Sequence, residues 1–277
     1  MDGAESVFFD VDGIRTHVLS AGCGQPLLLL HGGAHGECAE ASWGPVLASL
    51  AAHHRVLAPD LLGFGDTDKV RDFADGLGRI RGHLGRLVEL LGPWPGGLDV
   101  VALSMGGAVL LRDLTSDAPL LPTRRAVLVS AGGPPIGGPA RAALAEYDGT
   151  VEGMRRQVGL TVSRPAEDPE LEPVVAVRHE KAALPGAFEL VASLGLRPPG
   201  APAAGPPPDD TPYDRVRVPV LVVAGGGDRL KPPGFAEAVA ARIPGATLRL
   251  FPAAGHCPQL DDPKGFAEAV LDFLREP

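Results

Sequence analysis

The stretch Leu98-Asp-Val-Val-Ala-Leu-Ser104-Met-Gly-Gly-Ala-Val-Leu-Leu111 constrains the fold more than any other part of the chain. Six mostly apolar residues of buried-strand character run into a serine, and helix-forming residues follow at once. A strand that turns into a helix at a single residue forces that residue into a strained backbone conformation. Its neighbours two positions away on either side must then be small. Here they are Ala102 and Gly106. This is the layout of a nucleophile elbow, which lifts the Ser104 hydroxyl above the sheet edge and sets the Met105 N–H at a helix start. The alternative is an ordinary buried small-residue turn. Ser130-Ala-Gly-Gly133 also ends a strand, but Pro134 and Pro135 block a following helix, so Ser130 is set aside.

Other apolar runs bounded by glycine or proline predict strands at 7–11, 15–19, 26–30, 55–59, 98–103, 126–130, 219–224 and 247–251. The runs Leu27–Leu30, 127–129 and 220–223 are apolar without interruption, as strands covered on both faces are. Helical patterns lie between them at 43–52, 72–91, 105–115, 235–242 and 263–275. Two leading edge strands followed by strand–helix alternation predict an α/β fold. Its mostly parallel, eight-stranded sheet would carry helices on both faces. The alternation breaks once. About 80 residues separate the strands ending at Ser130 and beginning at Pro219, with helical stretches near 141–147, 151–159, 170–183 and 187–194 and a stiff Pro-rich close at 197–212. The expected organisation is a core over 1–132, a helical cap over 133–217 and the rest of the core over 218–277.

Two further residues follow Ser104 at strand ends. Asp228 closes Ala224-Gly-Gly-Gly-Asp228, and His256 stands in Phe251-Pro-Ala-Ala-Gly-His256 after the last strand. An imidazole titrates near neutrality and suits a general base, and a carboxylate at a neighbouring strand end can orient it. The order Ser104, Asp228, His256 is the chain order of the α/β-hydrolase triad. After the third strand, His31-Gly32-Gly33 matches a loop whose backbone N–H helps to hold an oxyanion. Gly33 and Met105 are the expected donors, and His31 is expected to pack beneath the loop. His31 and His35 have i,i+4 spacing on a glycine loop rather than a helix, so no metal site is expected. Gly63-Phe-Gly65 lacks the rest of a dinucleotide fingerprint, and no cofactor is expected.

At these residues the chain resembles the α/β-hydrolase superfamily over nearly its whole length. More narrowly it resembles the meta-cleavage-product hydrolases, which split carbon–carbon bonds in vinylogous diketones. The resemblance rests on His31-Gly-Gly33, on Arg55-Val-Leu-Ala-Pro-Asp-Leu-Leu-Gly-Phe-Gly-Asp-Thr-Asp-Lys69, on Ser104-Met-Gly-Gly107, and on Val177-Arg178-His-Glu-Lys-Ala-Ala-Leu-Pro185. It implies an α/β-hydrolase fold with an inserted helical cap, and a cap arginine at Arg178 that binds the substrate carboxylate. The alternative for Arg178 is a solvated helix residue. The family often has Asn before the nucleophile and Trp after the catalytic histidine, where this chain has Leu103 and Cys257. Gly32, Leu103, Arg178 and Cys257 are the candidate substrate-binding residues.

Composition narrows the function. A formal net charge of -9 argues against nucleic acid and anionic membranes as partners. Three cysteines are too few for a disulfide framework and fit a reducing cytoplasm. No leading apolar run marks a signal peptide. The reading is a cytoplasmic serine hydrolase acting on a small, largely apolar ester, lactone, thioester or ketone. One setting is biosynthetic tailoring in the secondary metabolism of a GC-rich bacterium. Alternatives are a carbon–carbon hydrolase of the meta-cleavage type, a condensing or cyclising enzyme, and a ligand-binding protein on the same fold. Leu103 and Cys257 offer no strong hydrogen bond to a dienolate, which favours esters over dienoates. The oligomeric state is left open.

Overall fold

A computed structural model describes residues 3–133, 139–194 and 209–275. Eight strands form one sheet: β1 Glu5–Val11, β2 Ile14–Ala21, β3 Gln25–Leu30, β4 His54–Pro59, β5 Leu98–Leu103, β6 Thr123–Val129, β7 Val220–Gly225 and β8 Thr247–Phe251. The spatial order is β1-β2-β4-β3-β5-β6-β7-β8. β1 pairs antiparallel with β2, and β2 antiparallel with β4; every later pair is parallel. Strand side chains alternate between faces, so an unbroken apolar run must be covered twice. Leu27 and Leu29 pack on one face with Trp43 and Phe266. Leu28 and Leu30 pack on the other with Leu84, Leu110 and Val239. The first face is covered by α1 (Ala39–Ala51) and α10 (Pro263–Arg275). The second lies under α2 (Gly76–Leu91), α3 (Ser104–Leu114) and α8 (Phe235–Arg242).

Helix starts differ most from expectation. α1 begins four residues before the predicted 43, where the Cys38 side chain accepts from the Ala41 N–H. α2 begins four residues after the predicted 72, because Asp75 caps it through Gly78 N–H while Asp72 closes a turn onto Ala74 and Asp75. Between β6 and β7 stand α4 Pro139–Leu144, α5 Val151–Gly159, α6 Glu172–Ala182 and α7 Ala187–Ser193. The predicted helix at 170–183 divides into a single 3-10 turn, Pro169–Leu171, and α6. A short α9, Pro258–Asp261, was not expected. Pro134, Pro135 and most of the Pro-rich 197–212 stretch lie outside the described residues. Among the described residues no helix is long and apolar enough to cross a membrane.

Candidate active site

The three residues follow the C-terminal ends of the parallel strands β5, β7 and β8. Ser104 sits between β5 and α3 with φ 49°. A positive φ is uncommon for a residue with a Cβ and is held here by crowding from both sides. Ala102 is fully buried. A Cβ on Gly106 would come 2.6 Å from the carbonyl oxygen of His31, and the Gly106 N–H already donates to that oxygen at 3.1 Å. Gly106 is therefore needed for the turn. Ser130 shares the conformation, with φ 48°, but is fully buried with its Oγ unpartnered. A ligand cannot reach it in this packing.

His256 Nδ1 lies 2.8 Å from Asp228 Oδ2, and both side chains are almost wholly buried. The other Asp228 oxygen accepts from the Leu230 N–H at 2.8 Å. A carboxylate held at both oxygens fixes the imidazole with Nδ1–H toward Asp228, leaving Nε2 free to accept a proton. Among the described residues no hydrogen bond joins the Ser104 hydroxyl to His256. Such bonds are often long without substrate. The histidine loop is braced from outside the core. Cys257 N–H donates to the Thr161 carbonyl at 2.9 Å, and Asp261 accepts from Gly255, Ser163 and Arg164 N–H groups.

The His31-Gly32-Gly33 loop lies against the elbow. A Cβ on Gly32 would contact Ser104 Cβ at 3.7 Å, and one on Gly33 would run into the Met105 side chain. His31 is completely buried. Its Nε2 accepts from the Leu61 N–H at 2.9 Å, so Nδ1 carries the proton and donates to the Gly32 carbonyl at 2.7 Å. Burial pushes its pKa down, which keeps this neutral tautomer. The Gly32 carbonyl and Gly33 N–H share one trans peptide plane and point opposite ways. Anchoring the carbonyl on His31 therefore aims the Gly33 N–H away from the ring. Sequence reasoning treated His31 as packing alone. Its part lies in two backbone partners that only folding brings near.

Arg178, on α6, is neither solvated nor open. It is 1% exposed. Its Nε and Nη2 donate to the His35 carbonyl at 3.1 and 2.8 Å, and Nη1 lies 3.2 Å from Glu37 Oε1. Glu37 is itself buried and accepts from the Ser42 hydroxyl at 2.5 Å through Oε2. The solvated alternative for Arg178 is thus overturned, and its charge is already met by Glu37, a residue not singled out in the sequence. A Cβ on Gly36 would collide with the Arg178 carbonyl, so glycine alone lets this loop touch α6. Leu103 and Cys257 are 1% and 3% exposed and belong to the core face that holds Trp43. Burial pushes the Cys257 thiol up, so it stays protonated and is no rival nucleophile. A cavity of about 230 Å3 adjoins the elbow through Met105, with Leu62, Phe64, Ile80 and Leu190 in its wall.

His17, Asp60 and Asp66 bring potential ligand atoms within 4.8 Å. Asp60 spends them on protein: Oδ2 accepts from His17 Nδ1 and the Asp66 N–H, and Oδ1 from the Ala39 N–H. These bonds hold its pKa low against burial and tie the Asp60–Lys69 loop to β2 and α1. The cluster is a hydrogen-bond hub.

Comparison with known proteins agrees with this fold. The model of the alpha/beta hydrolase family matches residues 27–269. A 2-hydroxy-6-oxo-6-(2'-aminophenyl)hexa-2,4-dienoic acid hydrolase of Metapseudomonas resinovorans is 31% identical over 272 residues, 96% of this chain and 90% of that protein. A 2-hydroxy-6-oxo-2,4-heptadienoate hydrolase of Pseudomonas putida is 29% identical over 266 residues, 95% of this chain and 93% of that one. The crystal structure of a serine hydrolase involved in carbazole degradation superposes with a TM-score of 0.80 at 29% identity, covering 98% of this chain and 99% of that one. A match running from β3 into α10, over a sheet of this order, leaves one assignment: the chain belongs to the alpha/beta hydrolase family, is a hydrolase, and resembles the meta-cleavage-product branch.

Proposed function

We propose that the protein is a serine-nucleophile hydrolase that cleaves the carbon–carbon bond beside a ketone in a small 2-hydroxy-6-oxo-dienoate. The similarity to dienoate hydrolases along nine-tenths or more of both chains carries this reading. It reverses the preference for esters drawn from Leu103 and Cys257. Ketonisation of the dienol first makes the bond to the ketone carbon breakable. Ser104 Oγ then adds to that carbon while His256 Nε2 takes its proton and Asp228 holds the imidazole. The N–H groups of Gly33 and Met105 stabilise the oxyanion, each such donor being worth roughly 10²–10³ in kcat. Collapse breaks the carbon–carbon bond, and its electron pair takes the proton from His256. Water, deprotonated by the same base, releases the acid from Ser104. The helices between β6 and β7 act in this reading as the cap over the site.

The test is a side-by-side measurement of kcat/KM for 2-hydroxy-6-oxohepta-2,4-dienoate and p-nitrophenyl butyrate. The dienoate should win by tenfold or more, and Ser104→Ala should lower its turnover by roughly 10⁴–10⁶ in a folded protein. An ester winning by tenfold would restore the second reading, an esterase, which the apolar Leu103 and Cys257 favour.

A further inference from the structure

One hydrogen-bonded set of side chains lies away from the catalytic loops and repeats their chemistry. β1 runs antiparallel to β2 with Phe8 opposite His17 and Ser6 opposite Leu19. Ser6 and His17 are thus diagonal neighbours, near enough across the strand pair for their side chains to meet. Ser6 Oγ lies 2.8 Å from His17 Nε2. On the far side of the ring, His17 Nδ1 lies 2.7 Å from Oδ2 of Asp60, the residue that follows β4. The bonds to Asp60 keep its pKa low, and an ionised carboxylate can only accept. Nδ1 therefore carries the ring proton, and Nε2 accepts from the Ser6 hydroxyl. Asp60 is held in turn by the Ala39 and Asp66 N–H groups. His17 and Asp60 are buried, whereas Ser6 is exposed on the outermost strand of the sheet. A serine open to solvent, hydrogen-bonded to a base that a third group orients, has the arrangement of an activated nucleophile. Phe8 stands beside it, 41% exposed, with its ring centroid 5.1 Å from that of His17 and the Arg15 guanidinium 3.4 Å from its centroid.

We propose that Ser6, His17 and Asp60 form a second reactive-serine site, at which Ser6 accepts the acyl group of a small aryl ester. Ser6 Oγ adds to the ester carbonyl carbon while its proton passes to His17 Nε2, and Asp60 stabilises the imidazolium. The adduct then collapses: the ester C–O bond breaks, and the leaving phenolate oxygen takes the proton from His17. The products are O-acyl Ser6 and a phenol. Ser6 lies inside a strand rather than at a helix start, and lacking one oxyanion donor costs roughly 10²–10³ in rate. The site therefore takes esters with good leaving groups and keeps the acyl group rather than turning it over. The exposed Phe8 ring offers the aryl group a surface to stack on. The inference does not depend on what Ser104 cleaves.

The test removes the first nucleophile. The Ser104→Ala protein is treated with p-nitrophenyl acetate and digested, and acetylation of each peptide is followed by mass spectrometry. Ser6 should acquire the acetyl group at least tenfold faster than the other serines. Adding Ser6→Ala should remove the burst of p-nitrophenolate that accompanies it. Adding His17→Gln instead should slow acetylation of Ser6 at least tenfold in a folded protein. His17 also anchors Asp60, so circular dichroism checks the fold of this variant. Where the fold is lost, Ser6→Cys decides. Its thiol, beside the imidazole, should react with iodoacetamide at least tenfold faster than the exposed Cys23. Acetylation of Ser6 no faster than that of the other serines overturns the proposal, and so does an acetyl group that stays on His17. An unchanged rate in folded His17→Gln protein, or a Ser6→Cys thiol no faster than Cys23, overturns it as well.

Discussion

At the scale of single residues, the site depends on groups whose partners are main-chain atoms. Ser104 can hold φ 49° because Gly106 admits the His31 carbonyl, and His31 in turn grips the Gly32 carbonyl. In this arrangement His31 positions the Gly33 N–H. His31→Phe keeps the ring volume and removes both hydrogen bonds. It should lower kcat by about ten- to a hundredfold with little change in KM, since misplacing an oxyanion donor costs mainly the transition state. Loss of the Leu61 partner should also cost roughly 1–3 kcal/mol of stability. A folded variant with kcat within twofold of the unmodified enzyme would leave His31 without that role. His35, two residues beyond Gly33, contributes in a different way. Its carbonyl holds Arg178, while its ring packs 5.0 Å from Tyr147 and 5.1 Å from Phe188 with Nδ1 unpartnered.

At the scale of elements, the segment between β6 and β7 is stitched to the loop that carries His256. Residues 161–164 follow α5 and reach that loop through Thr161, Ser163 and Arg164. Arg229, beside Asp228, reaches back to the Gly159 and Val162 carbonyls. Glycine makes the approach possible: a Cβ on Gly255 would come 2.8 Å from the Val162 carbonyl carbon. Replacing the whole segment by a short loop should therefore damage the base loop as well as substrate choice. Asp261→Ala is the sharper change, because it strips three backbone N–H groups of their acceptor. It should lower stability by about 1–3 kcal/mol and kcat more than KM as His256 loosens. Denaturant midpoints together with steady-state kinetics read both effects. A stable variant with full kcat would show that the brace does not position the histidine.

At the scale of the whole molecule, burial of neutral histidines couples stability to pH. Burial lowers the pKa of His31, His54 and His83, and burial with the nearby Arg178 charge lowers His35 to about 4. Below the ordinary value near 6.5 the unfolded chain binds protons that the folded chain refuses. Stability from these groups is thus complete above about pH 6.5 and falls with pH toward their folded values. For His35 alone the loss between pH 7.5 and 4.5 is on the order of 2 kcal/mol. His35→Phe keeps the backbone carbonyl and an aromatic ring while removing the titration. Urea midpoints across this range should fall less steeply for it than for the unmodified protein. Parallel curves would rule out His35 as a source of the acid sensitivity.

Hydrophobic runs and glycine placement made the sheet legible, because strand periodicity and backbone strain are local. Leu27–Leu30 reads as a strand covered twice, and Ala102-Leu-Ser104-Met-Gly106 reads as a tight strand-to-helix turn, which the positive φ of Ser104 bears out. The chain order of Ser104, Asp228 and His256 was legible for the same reason, since each follows a recognisable strand. Helix starts at Ala39 and Gly76 were missed because a cysteine cap and a choice between Asp72 and Asp75 are decided by hydrogen-bond geometry. Pairings between distant residues were beyond local reading. That Glu37 meets Arg178, that Asp261 holds residues 163 and 164, and that His17 joins Ser6 to Asp60 depend on segments far apart in sequence. The sequence by itself determined the strands, the turn and the order of the reactive groups. Tertiary structure alone decided which buried charges are satisfied, because a charge is neutralised by whatever lies within a few ångströms in space, and sequence spacing does not record that distance.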